Sequence, residues 1–425
     1  MATITDYQRL MWQFFSYVTV CRFYVVRENG NFVIKKAGRI RQFIYHGIWI
    51  NTLTKVTYLI LAYRKLVPVE VHFLDQMGMW DWFLCFSQII QEVHIWYGKY
   101  PLFEVLCANW KIQEQVFEKL GSPKHVETAI LKNDRSLFRM HIFMVLQGVF
   151  AIVIQFNIAP KYAAQIYAIV PYDNWFLRIV FVLHEIMYVY HIWVHQVCSI
   201  MLCEVFAFSY TQIIREMTVV FQQLIHLGVK QQNLKKENKS ESASETFMQQ
   251  FIVKRRLEPD TKVPGTEYDI MTLLHDYQNM MLATTTFNKS VGVIMGGTMG
   301  SNYAQFVSDV FMMIQLLKEE ETDMLAVIFY AGDACAGMAI LFRMLIILSQ
   351  LYPSSEEFLH VLKQYLTFQT PIKRYLLKYQ RGFRIISANL GGYKTKAITV
   401  PKGINALMQW YINAAMWQRP ADRMT

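Results

Sequence analysis

The chain has 425 residues, of which 54% are hydrophobic, 15% aromatic and only 17% charged, a balance rich for a soluble protein and suggestive of a polytopic membrane protein. Its formal net charge of +10 does not argue for nucleic-acid binding, because the basic residues are divided among separate loops between apolar runs. Six cysteines, at positions 21, 85, 107, 198, 203 and 335, include no CxxC pair and mostly sit in apolar stretches, which implies neither a disulfide framework nor a zinc site.

Residues 1–37 are amphipathic and basic, and they predict an interfacial helix around MWQFFSYV followed by a turn at Asn29-Gly30. Asp6 and Arg9 interrupt the opening before any apolar core ending in a small-residue cleavage site, so a cytosolic N-terminus without a cleaved signal is expected. The first span is Ile40–Tyr63, where Asn51 and Lys55 suit a helix facing other helices. A second runs from Met77 to about Tyr97 and is ended by Pro101.

Residues 101–136 form a polar, helix-patterned connection to a third span, Met140–Ile158. The fourth begins near Trp175 and keeps a helical pattern to about Leu227. That is roughly twice what a bilayer needs at about 1.5 Å per residue, so the helix must project beyond the membrane. Residues 228–265 have the composition of a disordered loop; KSESASE within it invites phosphorylation but reads more simply as solvated linker.

Tyr268–Thr285 is an amphipathic helix running into the fifth span, about Val291–Leu317, whose GVIMGGTMG patch permits close approach of a neighbour. After the acidic hinge KEEETD come the sixth span, Met324–Leu351, a polar periodic helix, Glu356–Ala388, and the link NLGGYKTK. The last apolar stretch is Ala397–Gln418, with Pro401 at a first-turn position. The expected fold is thus all-α with seven transmembrane helices. Its divisions are a cytosolic segment 1–37, six spans and the loop over 38–352, a cytosolic anchor helix within 353–396, a final helix 397–418 and a tail 419–425.

Orientation follows from Lys and Arg. The segments ending at Arg41 and spanning Lys99–Arg139, Arg215–Lys289 and Lys363–Arg384 hold seven, seven, ten and six of them, thirty of the forty-two in the chain. The positive-inside rule puts these segments in the cytosol and the C-terminus outside. That is opposite to a G-protein-coupled receptor, which stays as a rival reading decided by where the N-terminus lies.

Asn405, Gln409 and Asn413 fall at i, i+4 and i+8 and share one face of the last helix. Amides are costly in lipid, so this face looks onto a protein interface or an aqueous path. One reading is a pore that several copies of the chain enclose, with Met416 as an apolar constriction near its outer end. The other is hydrogen bonding to neighbouring helices.

Two stretches resemble the insect gustatory and odorant receptor superfamily, the inverted seven-helix chemoreceptors. One is LLHDYQNMMLATTTFNKSVG, Leu273–Gly292, with a histidine, a hydrophobic run and an Asn entering the fifth span. The other is FRIISANLGGYKTKAITVPKGINALMQWYINAAMWQ, Phe383–Gln418, with an Ala, a Gly before an aromatic, a short polar link and a last helix closing on Gln. The family's gustatory ending is Thr-Tyr, five hydrophobics and Gln-Phe; here Trp410-Tyr411 and Gln418 stand near those positions, Gln one residue late and Phe missing. A divergent gustatory-like member is the branch expected.

The resemblance implies a ligand-gated, non-selective cation channel in the plasma membrane, built of four identical subunits or of this chain with related partners. It also implies a small-molecule ligand in the outer half of each bundle and no cofactor. That region collects Trp80, Phe83, Gln155, His184, Tyr188, His191, Tyr303, Phe306, Tyr330 and Asp333, although each taken singly also fits an ordinary core position.

His184, His191 and His195 share a helix face, so a metal- or haem-binding membrane enzyme is a further alternative to a wet pocket wall. No HExxH, phosphate loop, catalytic triad spacing or nucleic-acid module accompanies them. The buried acids Asp309 and Asp333 have Lys55, Arg343, a cation or a ligand hydroxyl as candidate partners. The sequons at Asn238 and Asn288 fall on the cytosolic side and are expected to stay bare.

Overall fold

The structure, a computed structural model, describes residues 2–18, 23–47, 50, 53, 104–158, 175, 176, 179, 183, 203–226, 270–317, 324–368, 382–390, 393, 394, 396, 402, 405 and 409. The second span, the loop 228–265 and the tail 419–425 lie outside these residues.

Helix α1, Ala2–Val18, places Ile4, Gln8, Met11 and Trp12 on one face, and all four are buried. The expected interfacial helix is therefore folded onto the body of the chain, with Leu10 and Phe14 left exposed on another face. Phe14 meets Phe138 edge-on at 5.4 Å between centroids. Next come strands β1, Phe23–Glu28, and β2, Asn31–Lys36, paired antiparallel from Phe23 with Lys36 to Glu28 with Asn31. This hairpin corrects the all-α expectation. Asn29 and Gly30 both take positive φ, 50° and 79°, the two-residue turn that matches strand twist and that Asn-Gly adopts most readily.

Helix α2 covers 39–47 and α3 covers 104–119. The end of α3 is closed by Ser122 N–H donating to Phe117 O at 3.1 Å and Gly121 N–H to Glu118 O at 2.9 Å. Gly121, with φ 75°, occupies the left-handed position of this Schellman cap. Pro123 then opens α4, Lys124–Ile158, one helix carrying both the polar connection and the third span. Helix α5 covers 203–226, the half of the fourth helix expected to project beyond the membrane.

Helices α6, Ile270–Leu316, and α7, Met324–Phe368, have 47 and 45 residues. At about 1.5 Å per residue each is about 70 Å long, twice a bilayer's apolar thickness. The amphipathic helix and fifth span are thus continuous, as the sequence indicates. Helix α7 also runs unbroken across residues 352 and 353, with Pro353 exposed inside it. The helix expected over Glu356–Ala388 is only partly realised, because residues 383–388 are not helical. They lead into strands β3, Asn389–Leu390, and β4, Tyr393–Lys394, another small hairpin.

The core lies where α5, α6 and α7 meet. Phe206 stacks on Phe287 at 4.0 Å and Tyr277 on Phe358 at 4.4 Å, with Tyr210 and Phe221 edge-on or tilted beside them. Large apolar side chains are instead exposed in the stretches read as spans: Ile40 and Phe43 at 79%, Phe143 at 65%, Trp175 at 72% and Ile328 at 62%. Such surface is what lipid contact leaves uncovered and what water disfavours. Among the described residues one stretch, Tyr330–Gln364, has the length and apolarity to cross a membrane, with a mean hydropathy of 1.9.

Candidate functional site

The segment 383–390, which delivers the chain toward its final helix, carries no helix of its own, so its backbone polar groups need other partners. Side chains from α6 and α7 supply them. Ser355 Oγ accepts from Ile386 N–H at 2.7 Å and lies 2.6 Å from the Tyr277 hydroxyl, whose proton goes to Arg384 O at 3.2 Å. Burial pushes the Tyr277 phenol above its ordinary range, so it stays protonated and able to donate. The Arg384 N–H points to Met281 Sδ at 3.2 Å.

Two turns beyond Met281, the Asn288 carboxamide acts as a substitute strand edge. Its Nδ2 donates to Ser387 O at 2.8 Å and its Oδ1 accepts from Asn389 N–H at 3.0 Å. Gly292 follows on the same face of α6, where a Cβ would stand 3.0 Å from Asn389 O. The first glycine of the GVIMGGTMG patch therefore makes room for a backbone rather than for a helix. The two stretches that carry the family resemblance, separated by about a hundred residues, form one clasp at the root of the last helix.

A polar layer surrounds this clasp. Lys119 of α3 spans both Asp276 oxygens at 2.9 and 3.0 Å. Arg343 of α7 donates to Glu204 of α5 at 3.0 Å and to Ser136 and Asn133 of α4 at 3.2 and 3.3 Å. Arg343, a candidate partner of Asp309 and Asp333 on sequence, is thus taken by Glu204. Burial pushes the Glu204 carboxyl up to about 7, against the pull of Arg343.

Of the last-helix amides, Asn405 and Gln409 are helical and exposed, as is Lys402. Asn413 and Met416 lie outside the described residues. Of the pocket candidates, Tyr303 and Phe306 are half-buried against the main core, Tyr330 is half-buried against Leu316 and Val327, and Asp333 is buried. Gln155 is a helical position of α4. Trp80, Phe83, His184, Tyr188, His191 and His195 lie outside the described residues.

Sequence reading found Asn288 only as a sequon and as a resemblance residue. Its pairing with 387 and 389 had no local signal, because nothing near it announces an unpaired backbone a hundred residues away. The same pairing occupies the amide nitrogen that a glycan would take.

No family model matches the chain, and no curated protein matches it. Over 98% of its length it is similar in structure to the insect olfactory receptor from Machilis hrabei solved in complex with eugenol, covering 97% of that chain at a TM-score of 0.53 and 8% identity. At that identity the likeness is one of fold.

Proposed function

We propose that the chain is a ligand-gated, non-selective cation channel of the insect chemoreceptor type. Four copies assemble around a central axis in the plasma membrane, each with seven crossing helices, a cytosolic N-terminus and an extracellular C-terminus. The observation that carries the reading is the likeness in fold to an olfactory receptor over 98% of the chain. The cation asymmetry of the loops supports the orientation, and the exposed apolar side chains support the bilayer.

In this reading the last helices line the pore through Asn405, Gln409 and Asn413, with Met416 at the outer constriction. The exposure of Asn405 and Gln409 on their own subunit supports it, since a pore face must stay free of contacts within its subunit. A ring of amides passes cations without selecting closely among them, and a ring of methionines blocks by dewetting. The ligand is a small molecule held in the outer half of the bundle by Tyr303, Phe306, Tyr330 and Asp333, facing Trp80, Phe83, Gln155, His184, Tyr188 and His191. The gustatory-like branch rests on the C-terminal ending alone, and co-assembly with related subunits is the alternative to four identical ones.

Ligand binding shifts the channel toward the open form only by its difference in affinity for the two forms. The clasp offers the route: movement of α6 and α7 around the ligand is handed to the last helix through Tyr277, Ser355 and Asn288. Whole-cell recording on cells expressing this chain alone tests the reading. A ligand-evoked cation current across a panel of sugars, amino acids, bitter compounds and volatiles is expected, and Gln409→Lys is expected to suppress it at unchanged surface expression. Silence across that panel, or a current indifferent to Gln409→Lys, overturns it.

A further inference from the structure

The buried polar layer leaves an oxygen on each of Gln8, Asp134 and Glu204, and the Asn133 Nδ2, without a partner. Gln8 Nε2 donates to Asp134 Oδ2 at 2.9 Å and to Ser209 Oγ at 3.2 Å, and all three residues are buried. Gln8 Oε1 and Asp134 Oδ1 are also buried, and neither has a hydrogen-bond partner. Both are acceptors, so they cannot satisfy one another while the carboxyl is ionised. They belong to two planar groups already joined by one hydrogen bond. A single proton on Oδ1 makes it a donor, and its bond to Oε1 closes a cyclic carboxyl–carboxamide pair that satisfies both.

We propose that Asp134 is a proton-binding site, and that its proton closes a two-bond pair with Gln8 that seats the N-terminal helix on α4 and α5. The site is independent of the channel reading, though in the proposed topology it faces the cytosol and makes the seating of α1 sensitive to cytosolic pH.

Every element packed here contributes charge. Tyr7 on α1 is coupled to Asp134, with Arg135 and Arg139 of α4 acting on it in the opposite sense. Helix α5 contributes Glu204, which raises the Asp134 carboxyl, and α7 contributes Arg343, paired with Glu204 at 3.0 Å. On α3, Glu114 is engaged by Arg27 at 3.0 Å and by the Thr5 hydroxyl at 2.5 Å. Arg343 is therefore committed to Glu204, whereas Asp134 is held by hydrogen bonds, and a proton is what neutralises it. Burial pushes the Asp134 carboxyl up to about 7, with hydrogen bonding from Gln8 and Asn133 opposing.

The sign follows. A folded-state pKa above the ordinary carboxylate range means that the folded chain binds more protons between that range and about pH 7. The stabilisation is complete at acid pH and is lost as pH rises through about 7, so α1 loosens on the alkaline side.

The test uses the full chain in lipid nanodiscs. Infrared spectra are expected to hold a protonated-carboxyl band that disappears between about pH 6 and about pH 8. The band should be lost in Asp134→Asn and kept in Glu204→Gln. A spin label at exposed Leu10→Cys is expected to gain mobility over the same range. In Asp134→Asn that mobility should be flat with pH, because two carboxamides keep both bonds at every pH. Should Asp134→Asn fail to fold, Gln8→Leu removes the other half of the pair, and the label at position 10 should be as mobile at about pH 6 as at about pH 8. A band absent from the wild type at about pH 6, retained in Asp134→Asn or lost in Glu204→Gln, or a label in Gln8→Leu that still loosens as pH rises, overturns the proposal.

Discussion

Asn288→Ala is the sharpest perturbation of the clasp. It deletes two hydrogen bonds, of 2.8 and 3.0 Å, to the backbone of a segment in which Ser387 and Ala388 are 7% and 3% exposed. A neutral bond is worth about 1 kcal/mol net, and a buried donor or acceptor left without a partner costs about 1–3 kcal/mol. Loss of partners for Asn389 N–H and Ser387 O therefore weakens the local seat by about 2–4 kcal/mol, water entering the gap offsetting part of the larger sum. At about 1.4 kcal/mol per tenfold change, segment 383–394 opens about 30- to 1000-fold more often. Hydrogen exchange of the full chain read by mass spectrometry should show that increase over 383–394, while the β1–β2 hairpin keeps its protection. Unchanged exchange at 383–394, or a uniform increase through the β1–β2 hairpin as well, would refute the reasoning.

Arg343→Met leaves Glu204 buried without its cation and should cost about 3–5 kcal/mol, seen as a lowered thermal midpoint. The double variant with Glu204→Met should recover most of that loss, and no recovery would mean that the pair is not the source. Gly292→Ala brings a methyl to 3.0 Å from Asn389 O, so the link must shift by a few tenths of an ångström. A loss of about 1–3 kcal/mol in thermal stability is expected, and Gly292→Val should be worse. Gly30→Ala meets nothing within 4 Å, so its expected cost of about 1–2 kcal/mol is purely that of the positive φ, and a larger loss would reveal a contact not seen in the hairpin.

The parts of this fold legible in the sequence are those written in local pattern. Continuous apolar or amphipathic periodicity located α4 and α6, and the excess length of the fourth helical run predicted projection beyond the membrane. Asn29-Gly30 announced its turn, but the strands around it went unread because FYVVRE and NFVIKK lack a clean alternation of apolar and polar residues. The sixth span reads as ending at Leu351 and a separate polar helix as starting at Glu356, whereas α7 continues through both, since the exposed Pro353 is tolerated when the turns on either side are packed. Residues 383–388 read as the end of a polar periodic helix; what holds them out of it is Ser355, Tyr277 and Asn288, all distant in sequence. Asn405 and Gln409, picked from their i, i+4 spacing, are both exposed.

The central claim is that the amide face of the last helix lines a conducting path opened by ligand. Cysteines substituted at Asn405 and Gln409 should make the evoked current sensitive to block by a small charged thiol reagent, and the block should be faster with ligand present than without it. The wild-type current should be untouched by the reagent. Modification at these positions with no effect on current, or at a rate indifferent to ligand, would contradict the account.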